Sequence, residues 1–585
     1  MFAFDSEKRD RIFAILAFFK PAADYIAANR LVFAALLYSL LLHLAECVCC
    51  FAKGLGNSLG NPFLQGLWGW LALFGLCLLA GGRAAKILLT ALLSLQTLES
   101  SVSIFLCLLF ALPLRADAIS VLAASSPAEV REFLRSFYSW KIFAATLAVI
   151  GVFAAALYAV WKPKLKRAWV LYAICGILIL PQLINTVRFT VKGDYEDIYD
   201  ENSLVLLAVH LKTFSDDMRK WDDLEKHPEL PREIECRNGG EPLLAVVVIG
   251  ESATRFHHSI YGYPRSTNPV LGAKDNLCIF TDVISGYAHT VKSFLYMLTT
   301  QEYGSLQDCR YTLFDVFKKV GFDIYFYSNQ SRWGKYDSPI SMLTAHADSR
   351  FFLQERFPGS YDDRLVDEFR KVALDRKRSD LVFFHLIGSH NSFDQRSPKE
   401  RKVFHAGNRP ISPYKVDDWS ELDEYDNSIR FTDHVLAKVI DMIDADPRPA
   451  FMLYCSDHGE CPERFFSSPR SGMSTVPECY EVPFVFYANA AYRKKFPEIL
   501  TAIRANLDKP FVTDRLMYPV FSAARITFAD FPYEQDLFSP AFVPRVPRHL
   551  GEDPEIYRTR RNPYSAGKGG EGSQLPPTGA PGAGK

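Results

Sequence analysis

Apolar residues are spread unevenly along this 585-residue chain. Up to about residue 190 they gather in long runs, at 31–51, 67–79, 87–114, 142–161 and 168–183. A helix that crosses the hydrocarbon core of a bilayer needs about 20 apolar residues. The five runs scatter around that length, the second shorter and the third longer. Beyond them, short apolar runs alternate with charged loops that carry Gly and Pro, which is the pattern of a domain folded in water. Runs at 243–249, 323–327, 381–386, 451–455 and 482–487 predict strands. Helical spacing at 313–320, 362–374 and 424–443 predicts helices between them. That alternation implies a parallel sheet covered by helices. Residues 195–221 are polar, acidic first and then helical in pattern, and predict a bridge lying near the membrane surface. From residue 558 the chain turns basic and then rich in Gly, Pro and Ser, which predicts a disordered tail. The expected organisation is a transmembrane domain at 1–188, a bridge at 189–240, a folded domain at 241–548 and a tail at 549–585.

Five spans put the two ends of the chain on opposite sides of the bilayer. Basic residues cluster before the first run (Lys8, Arg9, Arg11), between the second and third (Arg83, Lys86) and between the fourth and fifth (Lys162, Lys164, Lys166, Arg167). The loops at 54–62 and 117–136 are less basic, so the N-terminus is expected in the cytoplasm and the large domain outside it. The first span would stay uncleaved as a signal anchor. In a two-membrane bacterial cell this is a multi-pass inner-membrane protein with a periplasmic domain. Formal net charge is zero, so no overall field argues for nucleic acid. Six of the 12 cysteines lie in or near the spans, where they read as small packing residues. The other six, Cys236, Cys278, Cys309, Cys455, Cys461 and Cys479, fall in an oxidising compartment that permits disulfides. Cys278 with Cys309 and Cys461 with Cys479 are the favoured pairs, and Cys455 is expected as a buried thiol. Glu99 lies inside the third apolar run, either as a functional group at membrane depth or beside a wet cavity.

Two of the predicted strands end in chemistry. The run at 243–249 stops at Gly250-Glu251-Ser252, and the run at 451–455 at Ser456-Asp457-His458-Gly459-Glu460. Open α/β sheets gather their active sites at the C-terminal ends of parallel strands. Carboxylates and an imidazole converging there suit a divalent metal, most naturally zinc. Ser285-Gly286-Tyr287-Ala288-His289-Thr290 precedes a helical pattern, so Thr290 falls at or near a helix N-terminus, where the dipole favours an anion such as phosphate. Its hydroxyl reads either as a nucleophile activated by a metal or as an N-cap. Asn329, Arg332 and Lys335 follow a strand and read as phosphate binders or as a solvated loop. His257 and His258 read as a polar loop or as substrate contacts.

These segments resemble a known family. Tyr261-Gly262-Tyr263-Pro264-Arg265-Ser266-Thr267-Asn268-Pro269, the Thr290 segment, His385-Leu386-Ile387-Gly388-Ser389-His390, Tyr425-Asp426-Asn427-Ser428-Ile429-Arg430-Phe431-Thr432-Asp433-His434 and the two strand ends occur in family order. The chain resembles the lipid A/lipopolysaccharide phosphoethanolamine transferases of the alkaline phosphatase/sulfatase superfamily, closest to the branch that modifies core heptose. The match covers roughly residues 30–545. It implies an N-terminal bundle of five transmembrane helices and a C-terminal α/β domain of the sulfatase/alkaline phosphatase type. It implies Zn2+ held by Glu251, Thr290, Asp457 and His458, with Thr290 as nucleophile. Phosphatidylethanolamine would donate its headgroup, through a phospho-threonine, to lipopolysaccharide. His390 matches the family histidine that contacts substrate phosphate or a second zinc, and so would act as acid or base. Two departures stand out. Glu478 falls where the family carries another histidine, which makes it a candidate substrate-binding residue alongside Asn329. Ala124-Ser125-Ser126 stands where the family carries Glu-Thr-Asn. Cys461-Pro462-Glu463-Arg464 is similar to a sulfatase signature, but the nucleophile position is Thr290, which argues against a formylglycine enzyme. A glycerol-phosphate transferase and an inactive metal-binding scaffold are the alternative readings.

Overall fold

The computed structural model describes residues 30–52, 70–71, 73–110, 140–162, 226–300, 309–330, 343–464, 476–550 and 557–564, with a few isolated positions besides. The chain falls into two compact units, one of Met1–Ile119 and Phe137–Ser215, the other of Ser120–Ser136 and Asp216–Lys585.

The N-terminal unit contains α1 (Arg30–Ala52), α2 (Gly82–Phe110) and α3 (Trp140–Trp161). Each is long and apolar enough to cross a membrane. They coincide with the first, third and fourth expected spans. The second is described only in part, and the fifth, with most of the bridge at 189–240, lies outside the described residues. Val32, Ala35, Leu89, Leu93, Ala156 and Val160 pack the three helices together, while Leu37, Leu41, Leu98 and Ile150 point outward. A polar seam joins α1 to α2. Gln96 Nε2 donates to Ser39 O at 3.0 Å, and Ser100 Oγ lies 3.0 Å from Glu46 and 3.1 Å from Glu99. Glu99 is therefore held inside the bundle by hydrogen bonds.

The second unit is built on a seven-stranded sheet. Its strands, numbered along the chain, are β1 (Leu244–Gly250), β2 (Cys278–Phe280), β3 (Asp323–Ser328), β4 (Ser349–Phe352), β5 (Asp380–His385), β6 (Ala450–Ser456) and β7 (Phe484–Ala488). Their order across the sheet is β2-β7-β6-β1-β5-β3-β4. The five strands from β6 to β4 run parallel, and β7 alone is reversed, pairing antiparallel with both β6 and β2. The expectation of a parallel sheet is corrected at that edge, where β7 runs against its neighbours. Residues of β1 alternate between the two faces. Ala245, Val247 and Ile249 pack with Phe294, Phe314, Phe317 and Phe521, and Leu244, Val246 and Val248 pack with Phe369, Val435, Val439 and Ile443. Full burial of such a side chain contributes about 2 kcal/mol.

The covering helices on the first face include α4 (Thr290–Leu298) and α5 (Leu313–Lys319), and on the second α6 (Asp363–Phe369) and α7 (Trp419–Asp444). Helix α7 is amphipathic with an unusual buried polar stripe: Asp423, Asp426, Asn427, Ser428 and Asp433 all face inward. The unit exceeds the expected limits of 241–548 on both sides. Leu230, Ile234 and Cys236 pack on its core, and Glu235–Cys236 pairs with Ile526–Thr527. Within the segment expected as a disordered tail, Tyr557 and Asn562 are buried. Neither favoured disulfide is formed. Cys278 begins β2 while Cys309 packs beside Leu295 and Leu343, and Cys461 and Cys479 share one small apolar cluster as thiols. Cys455 is a buried thiol, as expected.

Candidate metal centre

The register of the parallel strands decides what meets at their C-terminal edge. Gly250 pairs with Ser456 and Ile249 with His385, while Ser328 pairs with His385 from the other side. The next residues of each strand, Glu251, Asp457-His458, the 386–390 turn and Asn329-Gln330, therefore emerge side by side. Steric limits hold them close. A Cβ on Gly388, whose φ is +49°, would lie 2.8 Å from both the N and O of Glu251, and one on Gly459 would lie 2.1 Å from Glu478 O. Ser252 sits at φ 55°, a strained conformation for a residue with a side chain. Tyr425 of α7 holds it there: its hydroxyl donates to Ser252 O at 2.9 Å and accepts from Thr254 N at 2.9 Å.

Donor atoms of Glu251, Asp457 and His458 all lie within 4.8 Å of one another, and all three residues are buried. Thr290 is the first residue of α4, with His289 as the N-cap. Its Oγ1 lies 3.1 Å from both carboxylate oxygens of Glu251 and 3.5 Å from His458 Nε2. His458 Nδ1 donates to Gly459 O at 2.8 Å, which leaves Nε2 facing Glu251 Oε1 at 3.2 Å and Asp457 Oδ2 at 3.6 Å. Asp457 Oδ1 accepts from Ser252 N and His458 N, whereas Oδ2 is buried without a hydrogen-bond partner.

The electrostatics follow from two carboxylates sharing a dry site with one imidazole. Burial and the Glu251 charge push Asp457 up to about 8. Burial alone would lower His458, but Asp457 and Glu251 outweigh it and raise it to about 10. Burial would likewise raise Glu251, yet His458 holds its carboxyl below the usual range. Such a site lacks positive charge, and the unsatisfied Asp457 oxygen points into it. Two carboxylates, one imidazole with its second nitrogen already committed, and an adjacent hydroxyl fit a divalent cation of the zinc type.

A family model described as Sulfatase matches residues 244–522. The phosphoethanolamine transferase EptC of Escherichia coli (strain K12) is 23% identical over 455 residues, which cover 73% of this chain and 78% of the relative. The chain carries a sulfatase-type domain and is similar to the phosphoethanolamine transferases. The integral membrane lipooligosaccharide phosphoethanolamine transferase A (EptA) from Neisseria meningitidis shares its fold, with a TM-score of 0.64 at 17% identity over 86% of this chain and 97% of that one. The C-terminal periplasmic domain of the Escherichia coli EptC, solved in complex with Zn, aligns with 55% of this chain and 92% of its own at 23% identity and a TM-score of 0.49.

Of the residues singled out from the sequence, Glu251, Thr290, Asp457 and His458 come together. His390 ends the turn after β5. Ser389 N donates to Glu251 O at 2.9 Å, and His390 Nδ1 is buried without a hydrogen-bond partner. Asn329 is elsewhere engaged: its Nδ2 donates to Asp362 at 2.8 Å, and its Oδ1 accepts from Gln354 at 2.7 Å. It buttresses the turn through Asp362, which also accepts from Ile387 N and Gly388 N. The neighbouring Gln330, which the sequence did not single out, reaches the site itself and donates to Glu251 Oε2 at 3.1 Å. The carboxylate of Glu478 accepts from Tyr414 at 2.8 Å and from Arg560 at 3.1 Å. His257 and His258, read as a polar loop or as substrate contacts, are both buried. His257 is clamped between Asp426 at 2.7 Å and Glu463 at 3.0 Å. Arg332 and Lys335 lie outside the described residues.

Proposed function

We propose that this chain is a zinc-dependent phosphoethanolamine transferase of the bacterial inner membrane, with its sheet domain in the periplasm. Phosphatidylethanolamine is the donor, and lipopolysaccharide, at lipid A or a core sugar, is the acceptor. The observation that carries the reading is the position of the Thr290 hydroxyl, at a helix N-terminus and 3.1 Å from both oxygens of Glu251. Zn2+ held by Glu251, Thr290, Asp457 and His458 would lower the pKa of that hydroxyl and polarise a phosphoryl oxygen.

Thr290 Oγ1 attacks the donor phosphorus, the bond from phosphorus to the diacylglycerol oxygen breaks, and diacylglycerol leaves with a proton. The acceptor hydroxyl or phosphate then attacks the phospho-threonine and restores the Thr290 hydroxyl, so that two easier displacements replace one difficult one. The free N–H groups at the start of α4 face the phosphoryl group and favour its charge. His390, with its Nδ1 uncommitted, is the residue suited to give a proton to the leaving oxygen and take one from the acceptor. Glu478, whose carboxylate is engaged by Arg560, is assigned no substrate contact.

The test uses the full-length protein in vesicles that hold lipopolysaccharide and either phosphatidylethanolamine or phosphatidylglycerol. Diacylglycerol release with the first donor, and an acceptor heavier by one phosphoethanolamine, is the expected result. Turnover with phosphatidylglycerol alone would replace it with the glycerol-phosphate reading. No product from either donor, with zinc bound, would leave the scaffold.

A further inference from the structure

The chain does not end its structural work where the family match stops at residue 522. Residues 557–564 lie across three buried carboxylates, all of them in the stretch that follows the Asp457-His458 pair. Tyr564 donates to Glu463 Oε1 at 2.6 Å, Arg560 pairs with Glu478 at 3.1 Å, and Tyr557 donates to Glu481. Glu463, Glu478 and Glu481 are each 3% exposed or less. The same short segment grips the loop that follows Glu251. Asn562 Nδ2 donates to Phe256 O at 3.1 Å and Tyr261 O at 3.0 Å, and Arg255 donates to Arg560 O at 2.6 Å.

These contacts lead by short steps to the candidate ligands. Glu478 lies with its carbonyl against Gly459, where no side chain would fit. Gly459 N donates to Cys479 O at 2.8 Å, and Gly459 O accepts a hydrogen bond from His458 Nδ1 at 2.8 Å. From the other side, Arg255 N donates to Glu481 O at 3.0 Å, only four residues after Glu251. We infer that residues 557–564 form a positioning strap, anchored by Arg560 on Glu478 and by Tyr564 on Glu463, that fixes the loops carrying Glu251 and His458 for metal binding and transfer. The inference rests on the reading of these residues as a metal-dependent transfer centre. Partners that orient metal ligands from outside commonly change metal affinity by 10- to 100-fold.

The experiment compares full-length wild type with Arg560→Ala, Tyr564→Phe, Glu478→Gln and the Arg560→Ala/Glu478→Gln pair. It reads zinc affinity by competition with a chromogenic chelator, the unfolding midpoint of the zinc-free protein, and kcat and KM for transfer. Arg560→Ala is expected to weaken zinc binding and lower kcat by about tenfold. KM and the zinc-free midpoint would change little, and the double variant would be no worse than Arg560→Ala alone. Tyr564→Phe removes a single hydroxyl and is expected to move zinc affinity the same way. Wild-type zinc affinity and kcat in both Arg560→Ala and Tyr564→Phe would overturn the strap. So would losses in zinc affinity that merely follow losses in the zinc-free midpoint. If wild type binds zinc but transfers no phosphoethanolamine, the functional reading fails while the affinity comparison still judges the strap. A wild type that binds no zinc overturns both.

Discussion

Two of the buried charged clusters in the sheet domain are built in opposite ways. Around His257, three carboxylates (Asp423, Asp426, Glu463) face three cations (Arg265, Arg409, His257) at hydrogen-bonding distance. Burial alone would lower His257, but Glu463 and Asp426 outweigh it and raise it to about 9, so the cluster neutralises itself. At the ends of β1 and β6, two carboxylates face a single imidazole, and Asp457 Oδ2 has no hydrogen-bond partner, with the His458 ring 3.6 Å away. A self-neutralised cluster fixes loops, whereas a cluster short of positive charge is prepared for a cation. The difference separates scaffold from site where burial alone does not, since the carboxylates and the histidine of each cluster are buried.

The largest expected effect is at the deficient cluster. Thr290→Ala should lower transfer by roughly a thousandfold or more while the protein still folds and binds lipid. Asp457→Asn should do the same and also abolish tight zinc binding, read by metal content after dialysis. A folded Asp457→Asn protein that keeps zinc at wild-type affinity would erase the contrast between the clusters.

The second effect belongs to the other cluster and should appear in stability. His257→Gln leaves Asp426 and Glu463 buried with less positive charge, and is expected to cost about 3 kcal/mol in denaturant unfolding. The pH dependence has a definite sign. A histidine raised from 6.5 to about 9 stabilises fully below pH 6.5 and loses that stabilisation as pH climbs through about 9. Wild type should therefore lose stability on the alkaline side of neutrality with a slope that His257→Gln lacks.

Smaller effects sharpen the boundary of the site. Gln330→Ala removes a hydrogen bond to Glu251 and should weaken zinc binding or kcat by about tenfold or less. Asn329→Ala, one residue away, should act on the stability of the His390 turn by about 1–2 kcal/mol and leave KM for the donor lipid unchanged. If KM rose in Asn329→Ala instead, Asn329 would belong with the substrate.

The legible parts of the fold are the ones where local pattern and buried position coincide. Leu244–Gly250 and Ala450–Ser456 are buried on both faces, so they read as continuous apolar runs, and their ligands follow at once because the strand end is the edge of the sheet. Cys278–Phe280 and Ser349–Phe352 were missed because edge strands of three and four residues carry too little pattern. Asn329 and Gln330 look alike in sequence, and only the turn of the chain after β3 aims one at Asp362 and the other at Glu251. His257 seemed a loop residue because its partners, Asp426 and Glu463, lie 169 and 206 residues away. The tail read as disordered for the same reason: Tyr557, Arg560 and Tyr564 have little apolar company in sequence, and the carboxylates they meet lie 76 to 101 residues earlier.

The most direct test of the central claim is the intact mass of the zinc-loaded, full-length protein after exposure to phosphatidylethanolamine without acceptor. The account predicts a species heavier by one phosphoethanolamine, mapped to Thr290 by fragmentation, absent in Thr290→Ala and discharged when lipopolysaccharide is added. Acceptor modification by a wild-type protein that never carries the group, or equal turnover by Thr290→Ala, would contradict it.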